Sequence, residues 1–220
     1  MKKFNFTHRG FYTSGIIIIS FFFSSHLFAQ AIEITPSYGY QFGTKLNYGP
    51  NYIKVTDSDQ WGVTLGFETY DDFMIELSYT RQEAEINIRD IIISPFENRM
   101  ADISADWIMV GGTRYFPTGK IRPFGGLALG LVILSPSNEN RTIINRSLDN
   151  QTKLAFSFKG GVNIMFTERI GLNLQGNLLF PVDWGGVYVA GGSGGVSGGA
   201  SVSSTTVIGG FSGGLVYRIN

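Results

Sequence analysis

From residue 32 onward, large apolar side chains recur at every second position in eight separate runs. In the first, Ile32, Ile34, Tyr38, Tyr40 and Phe42 alternate with Glu33, Thr35, Ser37, Gly39 and Gln41. Successive side chains of a strand point to opposite faces, so each run predicts a strand with one apolar and one polar side. The second run sets Trp61, Val63, Leu65 and Phe67 against Gln60, Gly62, Thr64, Gly66 and Glu68, and the third sets Phe73, Ile75, Leu77 and Tyr79 against Glu76, Ser78 and Thr80. In the fourth, Ile103, Ala105, Trp107, Met109 and Tyr115 are expected on the apolar face, opposite Asp102, Ser104, Asp106 and Arg114, with Ile108 and Val110 blurring the polar side. The fifth places Leu127, Leu129, Leu131 and Ile133 opposite Arg122, Gly126, Ala128 and Gly130. The sixth pairs Leu154, Phe156, Phe158, Val162, Ile164 and Phe166 with Lys153, Ser157, Lys159 and Asn163. The seventh turns Ile170, Leu172, Leu174, Leu178 and Phe180 away from Asn173, Gln175 and Asn177. In the last, Phe211, Leu215, Tyr217 and Ile219 oppose Ser212, Gly214 and Arg218.

Residues 43–59, 84–101, 135–152 and 182–204 read as long loops, whereas 70–72, 117–120 and 167–169 are tight turns. An even strand number with this rhythm gathers the long loops at one end and both termini at the other. That arrangement predicts an all-β, eight-stranded, antiparallel up-and-down transmembrane β-barrel, with short periplasmic and long extracellular connections. Volume assigns the faces: about forty apolar side chains exceed what an eight-strand interior can hold. The small Gly, Ser, Ala and Thr side chains of the other face suit a narrow lumen, so the apolar face is expected to meet lipid. Phe67, Phe73, Tyr115, Phe166 and Tyr217 then form an aromatic girdle near the tight turns, and Tyr40, Phe42, Trp61, Tyr79, Trp107 and Phe180 one near the long loops. Pro36 and Pro123 each forfeit a ladder donor near the tight-turn end, where a bulge is expected to absorb the loss.

The first thirty residues have a different pattern. Lys2, Lys3 and Arg9 precede an apolar run over residues 16–23, interrupted by Ser20 alone, and a small-residue tail ending Phe28-Ala29-Gln30-Ala31. A bilayer-spanning helix needs about 20 apolar residues, so this shorter core predicts a secretory signal peptide over residues 1–30 and a barrel over 31–220. Cleavage is expected after Ala29 or Ala31. Both histidines, His8 and His26, lie in this leader, and the chain contains no Cys. The remainder thus lacks the commonest general base, metal ligands and thiol nucleophile. Its charge also changes, because losing three of 17 basic residues leaves 17 acidic ones in excess by three. Only 15% of the whole chain is charged, against about a quarter in soluble domains. No basic excess points to nucleic acid.

Few motifs suggest chemistry. Gly191-Gly192-Ser193-Gly194-Gly195 matches a nucleophile-elbow pattern, but that elbow needs a strand-turn-helix setting and a histidine. Three sequons at Asn140, Asn145 and Asn150 read as polar loop composition, and Asp57, Asp59, Asp71 and Asp72 lack the spacing of a calcium loop. No catalytic, cofactor or metal site is expected. The inward charges carry more. Glu33, Glu68, Glu76, Asp102 and Asp106 balance Arg114, Arg122, Lys153, Lys159 and Arg218, five against five. Buried charge has to be paired, so this set predicts a salt-bridged lumen plug. Glu139, Arg141, Ile143, Ile144, Arg146 and Asp149 in the third long loop form the candidate contact surface.

The segments over residues 170–181 and 211–219, with Arg122-Pro123-Phe124-Gly125-Gly126-Leu127-Ala128-Leu129-Gly130, resemble the eight-stranded outer-membrane β-barrel families of Gram-negative bacteria, of the OmpA, OmpX, OmpW and opacity-porin type. The likeness covers residues 31–220. It departs at the C-terminus, where such barrels usually end on an aromatic residue and here Asn220 follows Ile219. The resemblance implies an outer-membrane location, membrane lipid and lipopolysaccharide as surroundings, and the barrel insertion machinery as an assembly partner. The motifs that carry it say little about activity, and the leading expectation is a non-enzymatic role, in envelope structure or in adhesion to a host or neighbouring-cell surface ligand through the loops. The alternative is a narrow pore or hydrophobic-solute conduit of the OmpW type.

Overall fold

The computed structural model describes residues 31–70, 72–92, 94–143, 147–192, 195–203 and 207–219. The expected signal peptide therefore lies outside the described residues. Among the described residues eleven strands follow one another: β1 (Ile32–Gln41), β2 (Thr44–Tyr48), β3 (Asn51–Val55), β4 (Ser58–Tyr70), β5 (Phe73–Asp90), β6 (Ser94–Tyr115), β7 (Ile121–Ser137), β8 (Gln151–Met165), β9 (Ile170–Gly192), β10 (Gly195–Ser203) and β11 (Ile208–Ile219). Eight of them, in the order β1-β4-β5-β6-β7-β8-β9-β11, pair antiparallel with their neighbours, and β1 pairs back onto β11. The ring is closed, so every wall strand finds both ladders. The remaining three decorate the rim: β2 and β3 form a hairpin on the upper part of β5, and β10 folds back along β9.

This corrects the loop assignment. Three of the four long connections are largely ordered strand. Residues 84–101 continue β5 and β6 as one ladder up to the Asp90–Ser94 pair, and residues 44–55 add the β2–β3 hairpin beside it. Gly49, with φ near 61°, makes the tight reversal between β2 and β3. The prolines also behave more simply than expected. Pro36 faces Val63 and Pro123 faces Val162 with no register shift at either position, and among the described residues the bulge near this end falls at Glu68–Tyr70.

Along most strands the exterior carries the apolar side chains. Leu127, Leu129, Leu131, Phe156, Phe158, Leu174, Leu178, Phe211 and Leu215 all stand exposed in one outer belt. β6 is the exception. Ala105, Trp107, Met109 and Tyr115 are buried in the lumen, and Ile108 and Val110 lie on the outside. The expected facing of this strand is thus reversed, and Trp107 and Tyr115 belong to neither girdle. The reason is steric. Trp107 and Met109 project into a lumen whose facing positions are small, among them Ser78, Gly111, Ala128 and Ser157. With Val132, Ala155 and Leu179 they fill the middle of the barrel.

Candidate functional site

The lumen is built in tiers. At the tight-turn end, Glu33 of β1 accepts a 2.7 Å hydrogen bond from Arg122 of β7, which stands halfway round the ring. Both side chains are almost wholly buried, so this ion pair crosses the barrel's width where water is excluded. Arg218 of β11 lies 3.5 Å from the same carboxylate and pairs also with Glu68 of β4. The Arg122 guanidinium lies 4.5 Å from the centre of the Tyr115 ring, which turns the inward tyrosine into part of the seal. Behind it, the amide of Asn173 donates to Asn163 at 2.7 Å.

One tier higher, Lys159 of β8 pairs with Glu76 of β5, and the Thr113 hydroxyl donates to the same carboxylate at 2.7 Å. Phe124 stands beside the Lys159 ammonium. Above this lies the Trp107 layer. A small cavity of about 50 Å³ on its lower side is lined by Gln60, Glu76, Lys159, Gln175, Asn177 and Ser212, among others. On its upper side a larger cavity of about 170 Å³ reaches towards the long-connection end.

Six of the ten charges expected in the lumen are thus brought together in two ion-paired groups: Glu33, Glu68, Arg122 and Arg218 in one, Glu76 and Lys159 in the other. Lys153 lines the upper cavity. Asp102, Asp106 and Arg114 are not in the lumen. They share the face of Ile108 and Val110, because the inward turn of Trp107 reverses the whole strand. Outside, Asp106 accepts from the Tyr79 hydroxyl at 2.6 Å and lies 3.3 Å from Arg81, and Asp102 is bound by Arg99 and by the Asn138 amide. Arg114 is exposed near the tight turns.

The third long connection folds down onto β6. Asn140 donates its backbone N–H to the Met100 carbonyl, and its amide to that of Arg99. Glu139 is mostly buried, holding Arg141 at 2.8 Å and the Leu148 N–H at 2.6 Å, so it braces the loop and is not a contact residue. Arg141 and Asp149 are exposed and Ile143 is half-buried. Ile144 and Arg146 lie outside the described residues, as do Ser193 and Gly194 of the elbow-like motif.

The most exposed apolar groups sit elsewhere, on the projecting sheet of β2, β3, upper β5 and upper β6. Ile92 at the β5–β6 reversal is 91% exposed and Phe96 beside it 81%, joined by Ile91 and Leu46. The sheet is held in shape by polar ties: the Tyr52 hydroxyl donates to Glu97, and Tyr48 and Asn51 both donate to Asp90. The Tyr52 contact holds the Glu97 carboxyl below the usual carboxylate range and pushes the tyrosine up. At the base of the hairpin, Asp57 is lowered as well, chiefly by the Gly43 N–H that it accepts. These tip residues fall in residues 43–59 and 84–101, whose sequence reads as loop. The alternation of Leu46 and Tyr48 with Ile53 and Val55 about Gly49-Pro50 was the available signal.

No family model and no curated relative matches this chain. Solved structures do. The outer-membrane protein OprG of Pseudomonas aeruginosa superposes with a TM-score of 0.61 at 14% identity, over 87% of this chain and 97% of that one. Neisserial surface protein A gives 0.56 at 14% identity, over 86% and 97%. The attachment invasion locus protein Ail of Yersinia pestis, solved in complex with the heparin analogue sucrose octasulfate, gives 0.51 at 11% identity, over 87% and 100%. The chain has the fold of the outer-membrane β-barrels.

Proposed function

We propose that this chain is a non-enzymatic outer-membrane protein of a Gram-negative bacterium, a sealed barrel that holds a rigid recognition sheet above the lipid. The observation that carries the reading is the pairing of a blocked lumen with an ordered projecting sheet. Glu33–Arg122 and Glu76–Lys159 cross the interior, and the same wall strands continue upward to display Ile91, Ile92 and Phe96. Apolar groups that large are costly to leave in water unless a partner covers them. The belt of Leu and Phe below them is suited to lipid, with lipopolysaccharide in the outer leaflet and the insertion machinery as the route in. Residues 1–30 supply the export signal. The lack of histidine and cysteine after residue 30 supports a role without catalysis.

The partner is a protein or glycan on a host or neighbouring cell. Ail, of the same fold, was solved with a heparin analogue, which makes a sulfated glycan a reasonable first probe. The conduit alternative has less support, because two tiers of ion pairs and the Trp107 layer obstruct the path. The test is the pair Ile92→Asp with Phe96→Asp. The variant should keep heat-modifiable gel mobility and lose cell or glycan binding. Binding unchanged in that variant, together with a steady solute-selective current through the intact barrel, would replace recognition with transport.

A further inference from the structure

We infer that the upper lumen is a ligand cup for a small uncharged amphiphile, one with a compact apolar body and a carboxamide-like head. The cup is the cavity of about 170 Å³ above Trp107. An apolar cavity of about 150 Å³ is enough to hold benzene. Its wall is largely hydrocarbon, from Phe42, Val55, Ile103, Leu134, Pro181 and Ile208.

What marks it as more than a packing gap is the set of polar groups that share it. Gln41 is 2% exposed and lines the cavity, yet neither its Nε2 nor its Oε1 has a hydrogen-bond partner. The Oε1 of Gln82 and the indole Nε1 of Trp107, both on the same wall, are likewise buried and unpartnered. Buried polar groups are almost always satisfied, since leaving one unpaired forfeits its hydration with nothing in return. Four such atoms around one cavity, two of them able to donate and two to accept, call for a head group that both donates and accepts. A carboxamide does so: its N–H groups suit the two glutamine oxygens, and its carbonyl suits the Gln41 amide and the Trp107 N–H.

Backbone geometry keeps the niche open. A Cβ on Gly210 would lie 2.5 Å from Gln41 Oε1 and 2.9 Å from Asn177 Oδ1, so only glycine there leaves room for both amides. The head is uncharged because an anion in this largely hydrocarbon wall would need a free cation beside it. Lys153, the one ionisable residue that lines the cavity among the described residues, already has a partner. Ion pairs close the floor below, which makes the site a cup and not a passage. The inference is independent of the recognition sheet, whose tip residues do not line it.

The test uses the chain recovered from membranes and reconstituted in lipid nanodiscs. Benzamide, toluene and benzoate are titrated in turn while the indole N–H resonance of Trp107 is followed, assigned by its loss in Trp107→Phe. Benzamide should shift that resonance saturably and bind about tenfold or more tightly than toluene, which leaves the amides unpaired. Gln41→Leu should remove that preference while heat-modifiable mobility is retained, and Ile103→Trp should fill the cup and abolish binding of both. Absence of a saturable benzamide shift in the folded barrel overturns the inference. So does equal affinity for toluene, tighter binding of benzoate, or an unchanged preference in Gln41→Leu.

Discussion

Glu33 faces two guanidinium groups in a space that excludes water, and its worth to the barrel depends on both remaining there. Removing Arg122 strands a buried carboxylate beside a single, more distant cation. Arg122→Ala is therefore expected to cost on the order of 3 kcal/mol in urea unfolding from lipid vesicles. Combining Arg122→Met with Glu33→Gln should recover much of that loss, because neither partner is then left charged and alone. If the double variant is no more stable than Arg122→Ala, the cost lies in packing against Tyr115 and not in the ion pair. The charged residues of this seal, unlike Tyr115, are legible in the sequence for a physical reason. Glu33, Arg122 and Arg218 each sit between apolar neighbours in runs whose small polar face left no doubt about direction.

The element that resisted the same reading is β6. Its two faces both carry apolar groups in the middle, Ala105, Trp107 and Met109 on one and Ile108 and Val110 on the other, with Asp106 set among them. Period two is obvious there, but direction is not, and a lumen that contains its own hydrophobic layer inverts the rule that polar means inward. Val110→Arg, on the lipid side, should thus cost about 2 to 4 kcal/mol if it sits near the bilayer midplane. Measured by the same vesicle unfolding, a cost near zero would return Val110 to the lumen. The projecting hairpins were missed because short strands rich in Lys, Asn and Glu have no lipid face to sharpen their alternation. Their ties titrate. Glu97 has its folded pKa depressed by the Tyr52 hydroxyl, so its contribution is present above the normal carboxylate pKa of about 4 and is lost as pH falls through the lower folded value. Protection of the β2 and β3 amides, taken as the ratio of intrinsic to observed exchange rate at each pH, is expected to fall only on acidification through that window. Tyr52→Phe should show the faster exchange already at neutral pH.

At the scale of the whole molecule, two ion-paired tiers and an aromatic layer stand in series along one narrow lumen. Planar-bilayer recordings of the intact barrel should accordingly show no steady conductance, and a stable open level would mean that the tiers part readily. The cross-barrel pair also bears on how the molecule comes to be made. Glu33 and Arg122 are 89 residues apart and sit on opposite walls, so no hairpin, however well formed, can bring them together. They meet only when the curling sheet has brought β1 round towards β11, and until then each charge must be satisfied by water or headgroups. The seal is in this sense a clasp that shuts last. It rewards completion of the circle and nothing before it, which favours an all-or-none final step over a lingering half-curled sheet with two raw edges.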